Sequence, residues 1–349
     1  MSIQAELRRV VQAGETLPQQ DAAALMRRIL AGEASDAELS ELLLALAARG
    51  ETAFEIAGFA EAMREAATTL PLTESEREQV VDTCGTGGDA SGSFNISTAA
   101  ALVAAAAGAK VAKHGNRAVT SKCGSADVLE ALGIPVQLAP EAAVAALREH
   151  GFCFLLAPNH HPAMRTVMPV RRALGVRTVF NVLGPLLNPA GARRQVMGVY
   201  SARLVPLVAE AMALLGAQHA MVVHGDQQSA SGQSGIDELA ISGPSDIAEV
   251  SCHPIGTAVV ESSITPEQFG LGRAPLETLA GGDAAENAAI LSAVFAGELG
   301  PRRDVVLLNA AAVLVVAALA DNLWEGIARA VDAIDSGAVA KLVEALRRC

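Results

Sequence analysis

Residues 82–98 read Asp82-Thr83-Cys84-Gly85-Thr86-Gly87-Gly88-Asp89-Ala90-Ser91-Gly92-Ser93-Phe94-Asn95-Ile96-Ser97-Thr98. The apolar run Gln79–Val81 before them has strand character, and the Ala-rich stretch Ser97–Ala107 after them has helix character. A strand, a glycine-rich turn and a helix in this order build an α/β sheet. Gly85, Gly87 and Gly88 let the backbone approach an anion closely and tolerate positive φ. Asn95, Ser97 and Thr98 fall where the helix begins, and free N–H groups and hydroxyls there suit phosphate. Taken alone, the cluster serves equally well as a tight turn without a ligand. Gly85-x-Gly87-x-x-Ala90 also fits the dinucleotide fingerprint formally. That fingerprint wants an acidic residue about 20 positions further on. The next strand ends instead in Lys113-His114-Gly115-Asn116-Arg117, and a lysine there suits phosphate rather than ribose hydroxyls. Asp89 sits badly against bare pyrophosphate and well against a ribose or a metal-neutralised diphosphate.

Outward from this turn, further short apolar runs (Lys110–Ala112, Phe152–Leu156, His219–Val223) alternate with helical stretches such as Ala139–His150. This alternation predicts a mostly parallel sheet flanked by helices. The segment Lys113–Ser125 follows one such strand and carries cations, amides and hydroxyls. In an open α/β sheet ligands bind beyond the carboxyl ends of strands, although a charged run is more often a solvated loop. Residues 1–66 read as helices alone, with capping boxes at Ser35/Glu38 and Thr52/Glu55. Thr68–Leu72 reads as a linker, because Pro71 disfavours helix at the residue before it. Asn287–Phe295, Asp304–Ala320 and Glu325–Leu346 read as helices, and 226–235 as a flexible Gln- and Ser-rich loop. Two domains follow, 1–66 and 72–349.

The 349 residues carry 26 basic and 38 acidic side chains, a net charge of −12. That disfavours a nucleic-acid surface, which wants a basic patch. Five cysteines with no Cys-x-x-Cys make a disulfide framework or zinc site unexpected. The longest apolar run, Ala310–Ala320, has 11 residues and is too short to span a bilayer. The N-terminus lacks a signal pattern, and a cytoplasmic location is expected. Aromatics make up 3% of the chain, so the core must be built from Ala, Val and Leu.

Gly85-Thr86-Gly87-Gly88-Asp89, Asn95-Ile96-Ser97-Thr98, Lys113–Arg117, Asn159–Met164, Asn181–Pro189 and Gly281–Ala288 together resemble the anthranilate phosphoribosyltransferase family, over nearly the whole chain. The resemblance implies a nucleoside phosphorylase/phosphoribosyltransferase-like fold, with a small helical domain joined by a segment near 165–190 and a larger α/β domain. It implies a homodimer and Mg2+ as cofactor. By the same resemblance Gly85, Gly88, Asp89, Ser93, Asn95, Ile96, Ser97, Thr98, Lys113, His114, Gly115, Asn116, Arg117, Ala118, Val119, Thr120, Ser121 and Ser125 hold phosphoribosyl pyrophosphate. Gly85, Asn116 and Arg171 lie near anthranilate, His114 and Pro185 wall its channel, and Ser97, Asp237 and Glu238 ligate magnesium. The chain departs from the family between His224-Gly225 and the acidic pair, where it is longer by about seven residues; such surface insertions cost little stability.

The chemistry agrees with these residue types. Hard oxygen ligands hold magnesium, which neutralises a departing diphosphate. An oxocarbenium-like sugar carbon asks for positioning and electrostatics, not a covalent nucleophile. An aromatic amine is neutral at pH 7 and needs no strong base, while its carboxylate needs a planar donor such as Arg171. Cys84 and Cys123 read as packing thiols, and His160 and His161 as structural loop residues. A pyrimidine nucleoside phosphorylase-like enzyme and a nucleic-acid-binding relative of the same fold are the alternatives.

Overall fold

The structure, a computed structural model, describes residues 3–118, 122–226 and 235–349. Seven strands form one sheet: β1 Val80–Gly85, β2 Lys110–Gly115, β3 Phe152–Leu156, β4 Arg194–Gly198, β5 His219–Gly225, β6 Ser245–His253 and β7 Gly256–Ile264. Their order is β3-β2-β1-β4-β5-β6-β7. The first five run parallel, and β6 and β7 continue antiparallel. The mostly parallel sheet is as expected. The hairpin β6–β7 and the strand β4 are additions that the apolar runs did not reveal.

Strands buried on both faces split their side chains between two cores. Val196, Met221 and Val223 point into one cluster, and Met197, Ala220 and Val222 into the other, which is the two-residue period of a pleated strand. The first cluster is roofed by helices α4 Ile96–Ala106, α8 Pro301–Val316, α9 Leu323–Asp335 and α10 Ala338–Leu346. α8 is buried on nearly every side, as a helix apolar all round must be. Small residues let it pack closely: a Cβ added at Gly326 would stand 2.8 Å from Ala311 Cα. The expected single helix over Glu325–Leu346 is two, because Gly337 adopts φ +72° and turns the chain between α9 and α10.

The second core joins helices α1 Gln19–Leu30, α2 Asp36–Arg49 and α3 Ala53–Glu65 to α5 Met168–Leu174, to the turns at 180–187, and to α6 Leu204–Leu214. Both expected capping boxes form, Ser35 with Glu38 and Thr52 with Glu55. α1 and α3 meet backbone to backbone, since a Cβ at Gly58 would lie 2.2 Å from Gln19 O. Residues 66–72 have no regular structure but are pinned. Thr68 N donates to His160 O (2.8 Å), Leu70 N donates to Pro189 O (3.1 Å), and Leu70 is 1% exposed. The remaining helix named below, α7 Ala284–Phe295, packs beside the start of α4.

Candidate active site

The strand order reverses about β1, which lies between β2 and β4, and ligands in such sheets gather beyond the strand carboxyl ends at this crossing. Three neighbouring strands, β1, β4 and β5, end there in Gly85, Gly198 and Gly225. The segment Ile236–Ala240 lies directly across them. A Cβ at Gly85 would stand 2.1 Å from Asp237 Oδ2, at Gly198 1.6 Å from Asp237 O, and at Gly225 2.7 Å from Glu238 O. Gly225 and Ile236 exchange both backbone hydrogen bonds (2.9 and 2.8 Å). At all three positions an acidic strap occupies the space that a side chain would take.

The strap is wired to both edges of the glycine turn. Gly87 N donates to Asp237 Oδ2 (2.6 Å), Asp237 N donates to Asp89 Oδ2 (3.3 Å), and Ser97 N, at the start of α4, donates to Glu238 Oε1 (3.0 Å). Within the turn Gly87, Gly88, Ala90 and Gly92 have φ between +60° and +74°. Three of these four are glycines, which adopt positive φ freely, and backbone turns of this kind can form concavities that suit an anion. Ala90 is the non-glycine among them, and strain of this kind gathers at ligand sites. Ser91 N donates to Asp89 Oδ1 (3.1 Å), and the Ser91 and Ser93 hydroxyls are 3.1 Å apart.

Asn95 Nδ2 donates to Cys123 O (3.3 Å), and Asn95 Oδ1 accepts from Asn287 Nδ2 (2.9 Å). The late Gly281–Ala288 motif thus folds back onto the turn: Gly281 N donates to Gly92 O (2.9 Å), and a Cβ at Gly281 would strike Phe94. Ile96 and Thr98 are buried beneath, at 1% exposure each, and the Thr98 hydroxyl has no partner among the described residues.

Lys113 is also 1% exposed, with Nζ donating to Thr83 O (2.6 Å) and to Ser97 Oγ (3.4 Å). It enters the site from below, between β1 and α4. His114 N donates to Asp82 Oδ1 (3.1 Å), and burial pushes Asp82 up to about 6 against the pull of Lys113. Burial, then the neighbouring His161, pushes the His114 imidazole down to about 3, so it is neutral at pH 7. The His114 and His161 rings meet edge to face at 5.2 Å, and each leaves a buried Nε2 without a partner among the described residues.

His161 is thus more than a loop spacer, whereas His160 is structural, its Nδ1 2.9 Å from Thr68 O. Pro185 is buried nearby and its carbonyl accepts from Gln195 Nε2 (2.8 Å). Gly115 packs on Ser125, whose Oγ donates to Asn116 O (3.2 Å). Asn116 Oδ1 accepts from Arg117 N (2.8 Å) and Ala118 N donates to Asp127 Oδ2 (2.9 Å). Arg117 turns its guanidinium outward to Glu130 (2.6 Å) and Asp127 (3.3 Å), so it can serve the site through its backbone. Val119, Thr120 and Ser121, with most of the Gln/Ser-rich stretch, lie outside the described residues.

Arg171, on α5, rests its guanidinium 5.1 Å from the Phe180 ring centroid and 3.9 Å from Met168 Sδ. No carboxylate is paired with it among the described residues, and burial pulls its guanidinium below its ordinary value. A half-buried cation held by a ring and a thioether has its fork available for a planar anion. Cys84 bridges Gln195 Nε2 (3.4 Å) and Asp82 (3.8 Å), and burial drives its thiol up, as a packing thiol requires. Cys123 is likewise pushed up, to about 11, first by burial.

A family model described as the glycosyl transferase family, helical bundle domain, matches residues 6–67, and one described as the a/b domain of that family matches residues 77–340. A protein of Chloroflexus aggregans named anthranilate phosphoribosyltransferase is 51% identical over 97% of this chain and 95% of its own length. The chain belongs to the anthranilate phosphoribosyltransferase family. A second relative of that name, from Haloferax volcanii, is 50% identical over 90% of this chain and 91% of its own. The crystal structure of anthranilate phosphoribosyltransferase from Thermus thermophilus superposes with a TM-score of 0.87 at 46% identity, covering 97% of this chain and 98% of that one. The Saccharomyces cerevisiae anthranilate phosphoribosyltransferase in complex with PRPP and Mg superposes at 0.85 with 29% identity, covering 99% and 97%.

Within the anthranilate phosphoribosyltransferase fold, the strap supplies the donors that a hard cation asks for. Burial drives Asp237 well above its ordinary range, with Asp89 and Glu238 adding repulsion, and burial brings Glu238 up to about 7. Carboxylates crowded this way release that cost when a divalent cation joins them. Among the described residues no three acidic, histidine or cysteine side chains converge as a ready-made cage. Magnesium is usually bound by one or two carboxylates together with substrate phosphates. Gly198 carries no sequence signal of its own, and Gly225 and Asn287 stand in recognised stretches with no role assigned to them. Strand-terminal glycines carry a signal only once the strap is known to cross them.

Proposed function

We propose that this chain transfers the phosphoribosyl group of 5-phosphoribosyl 1-pyrophosphate to the amine of anthranilate, giving N-(5-phosphoribosyl)anthranilate and pyrophosphate in tryptophan biosynthesis, with Mg2+ held by Asp237, Glu238 and Ser97. The observation that carries this reading is the strap itself: one hydrogen-bonded unit joins the anion-binding turn, the start of α4 and the acidic pair. Magnesium, when bound, offsets the negative charge that gathers on the departing diphosphate.

The chain's own groups do the remaining work. The left-handed turn from Gly85 to Asp89, with Ser93 and Asn95, presents N–H groups and hydroxyls to the donor. Lys113 brings a buried cation beneath it, where a low dielectric makes the charge count for more. Asn116 and Arg171 receive the amine substrate, Arg171 by a two-pronged contact with the carboxylate. His114 and Pro185 wall its path with neutral surface. As the bond from the anomeric carbon to the diphosphate oxygen breaks, the amine nitrogen bonds to that carbon and gives up a proton to solvent.

We further propose two working halves. Residues 1–66, joined by 165–190, carry Arg171, and residues 72–349 carry the donor cradle, with a hinge between them. A cytoplasmic homodimer fits an acidic chain in which no described helix is long and apolar enough to cross a membrane. Half-exposed Leu44 and Phe54 offer apolar surface on the helical half. The test is direct: anthranilate fluorescence is followed on mixing with donor and Mg2+. The expected result is a Mg2+-dependent loss of fluorescence that the variant Asp237→Ala/Glu238→Ala no longer supports. Normal turnover by that variant would remove the metal assignment, and no turnover by the parent chain would remove the function.

A further inference from the structure

Six residues beyond Arg171 stands Arg177, which no motif singles out. α5 ends at Gly175 in the left-handed conformation (φ +63°), Val176 is half exposed, and the backbone is caught again where Thr178 N donates to Asn181 Oδ1 (3.0 Å). Between these fixed points Arg177 reaches across the cleft. Its Nη2 donates to the carbonyl of Gly88 in the anion-binding turn, and its guanidinium lies 4.2 Å from the ring centroid of Tyr200. Tyr200 is itself tied to the same turn, since its N–H donates to Thr86 Oγ1 (3.1 Å) while Thr86 N donates to Gly198 O (2.9 Å). Gly88 sits at φ +74°, with Arg177 Nε in van der Waals range of where a Cβ would be.

We propose that Arg177 is a positioning residue: with the face of Tyr200 it latches the segment that carries Arg171 onto the donor turn, so that the amine site is set by the shape of the donor site. This rests on the transferase reading above. A planar guanidinium can lie against a ring while donating in its own plane, a geometry that the compact, tetrahedral ammonium of lysine reproduces less well. The turn it grips is left-handed at four positions, so it is held by contacts rather than by backbone preference. The gripped group is the Gly88 carbonyl, one residue beyond Gly87, whose N–H donates to Asp237 of the strap. Losing the grip lets the turn and the α5 segment move independently, and small misplacements at reacting groups are costly.

The experiment uses the full chain and compares R177A, R177K, Y200L, Y200F and the pair R177A/Y200L. Three quantities are read: the donor dissociation constant with Mg2+ and no anthranilate, the anthranilate KM, and kcat, with melting temperatures to confirm folding. R177A is expected to raise both the donor constant and the anthranilate KM at least fivefold with the melting temperature nearly unchanged. Y200L should reproduce it, the pair should be no worse than R177A alone, as residues acting through one contact are non-additive, and Y200F should restore parental values. R177K should recover less than half of the loss. The inference is overturned if R177A leaves the anthranilate KM within twofold of the parent, if the two single losses multiply in the pair, or if R177K is fully active. Parental turnover is measured in the same series, so failure of the transferase reading is separately visible.

Discussion

At Gly85 an added methyl group would collide with the Asp237 carboxylate, and at Gly198 with the Asp237 main chain, at 2.1 and 1.6 Å. A side chain can swing aside and a main chain cannot do so alone. G85A is therefore expected to keep measurable turnover, whereas G198A shifts the whole acidic pair; a displacement of about 1 Å at reacting groups can cost on the order of 100-fold. Steady-state kcat/KM for the donor in the two variants checks the ranking, and equal losses would contradict it. The acidic pair also sets a pH dependence. Burial raises Glu238 to about 7 in the folded chain, against roughly 4.3 for an unfolded glutamate. Between those values the folded chain holds a proton that the unfolded chain lacks, so this contribution to stability is full at low pH and fades as pH rises toward 7. The melting temperature without metal should fall over that window, and E238Q should flatten the fall. Stabilisation by Mg2+ with pyrophosphate should run the other way and grow from pH 6 to pH 8, because the cation needs the ionised carboxylate. Thermal melts over a pH series, with and without the ion, decide both.

At the scale of elements, α3 shows how a local signal reaches the core. The Thr52/Glu55 capping box is readable from sequence, but the further use of Glu55 is not. Its carboxylate is fully buried, accepts from Leu17 N (3.0 Å) and pairs with Arg49 (2.6 Å), fastening the segment before α1 and the end of α2 to α3. E55A orphans a charge and a backbone donor, and breaking a buried pair of this kind costs about 3–5 kcal/mol. T52A removes a cap, for about 1 kcal/mol. Urea unfolding of the two variants should separate them in that order. The same boundary divides what could be read elsewhere. Strands β2, β3 and β5 and helices α2, α3 and α4 announced themselves through period and capping. β6 and β7 did not, since Asp246, Glu249 and Glu261 interrupt their apolar pattern, and they are placed by pairing, β6 on β5 and β7 on β6. In the site, the turn at 85–98 and the lysine at 113 were legible from residue type and order. Asp237 and Glu238 stood out by resemblance alone, because a dipeptide of acids looks like any solvated helix start until the strap is folded. Arg177 gave no signal and Asn287 stood in a motif with no role of its own, as each acts through a contact remote in sequence, 89 and 192 residues away.

At the scale of the whole molecule, the helical half and the sheet share one core instead of abutting as finished bodies. Met197, Ala220, Val222 and Ala248 of β4, β5 and β6 lie in the same cluster as Ile56, Phe59 and Met63 of α3 and as Val167–Leu187. Removing residues 1–66 would bare that face, and exposed apolar surface of this extent drives association. A fragment of residues 72–349 is expected to elute from size exclusion as aggregate, and recovery of a folded, soluble monomer would show the halves to be independent. The strap has a consequence for redesign. Because one short segment rests on the tips of three neighbouring strands, substituting any tip singly meets the same obstacle. Lengthening that segment by a few residues would lift the obstacle from all three together, opening the floor of the cleft to side chains of the designer's choosing.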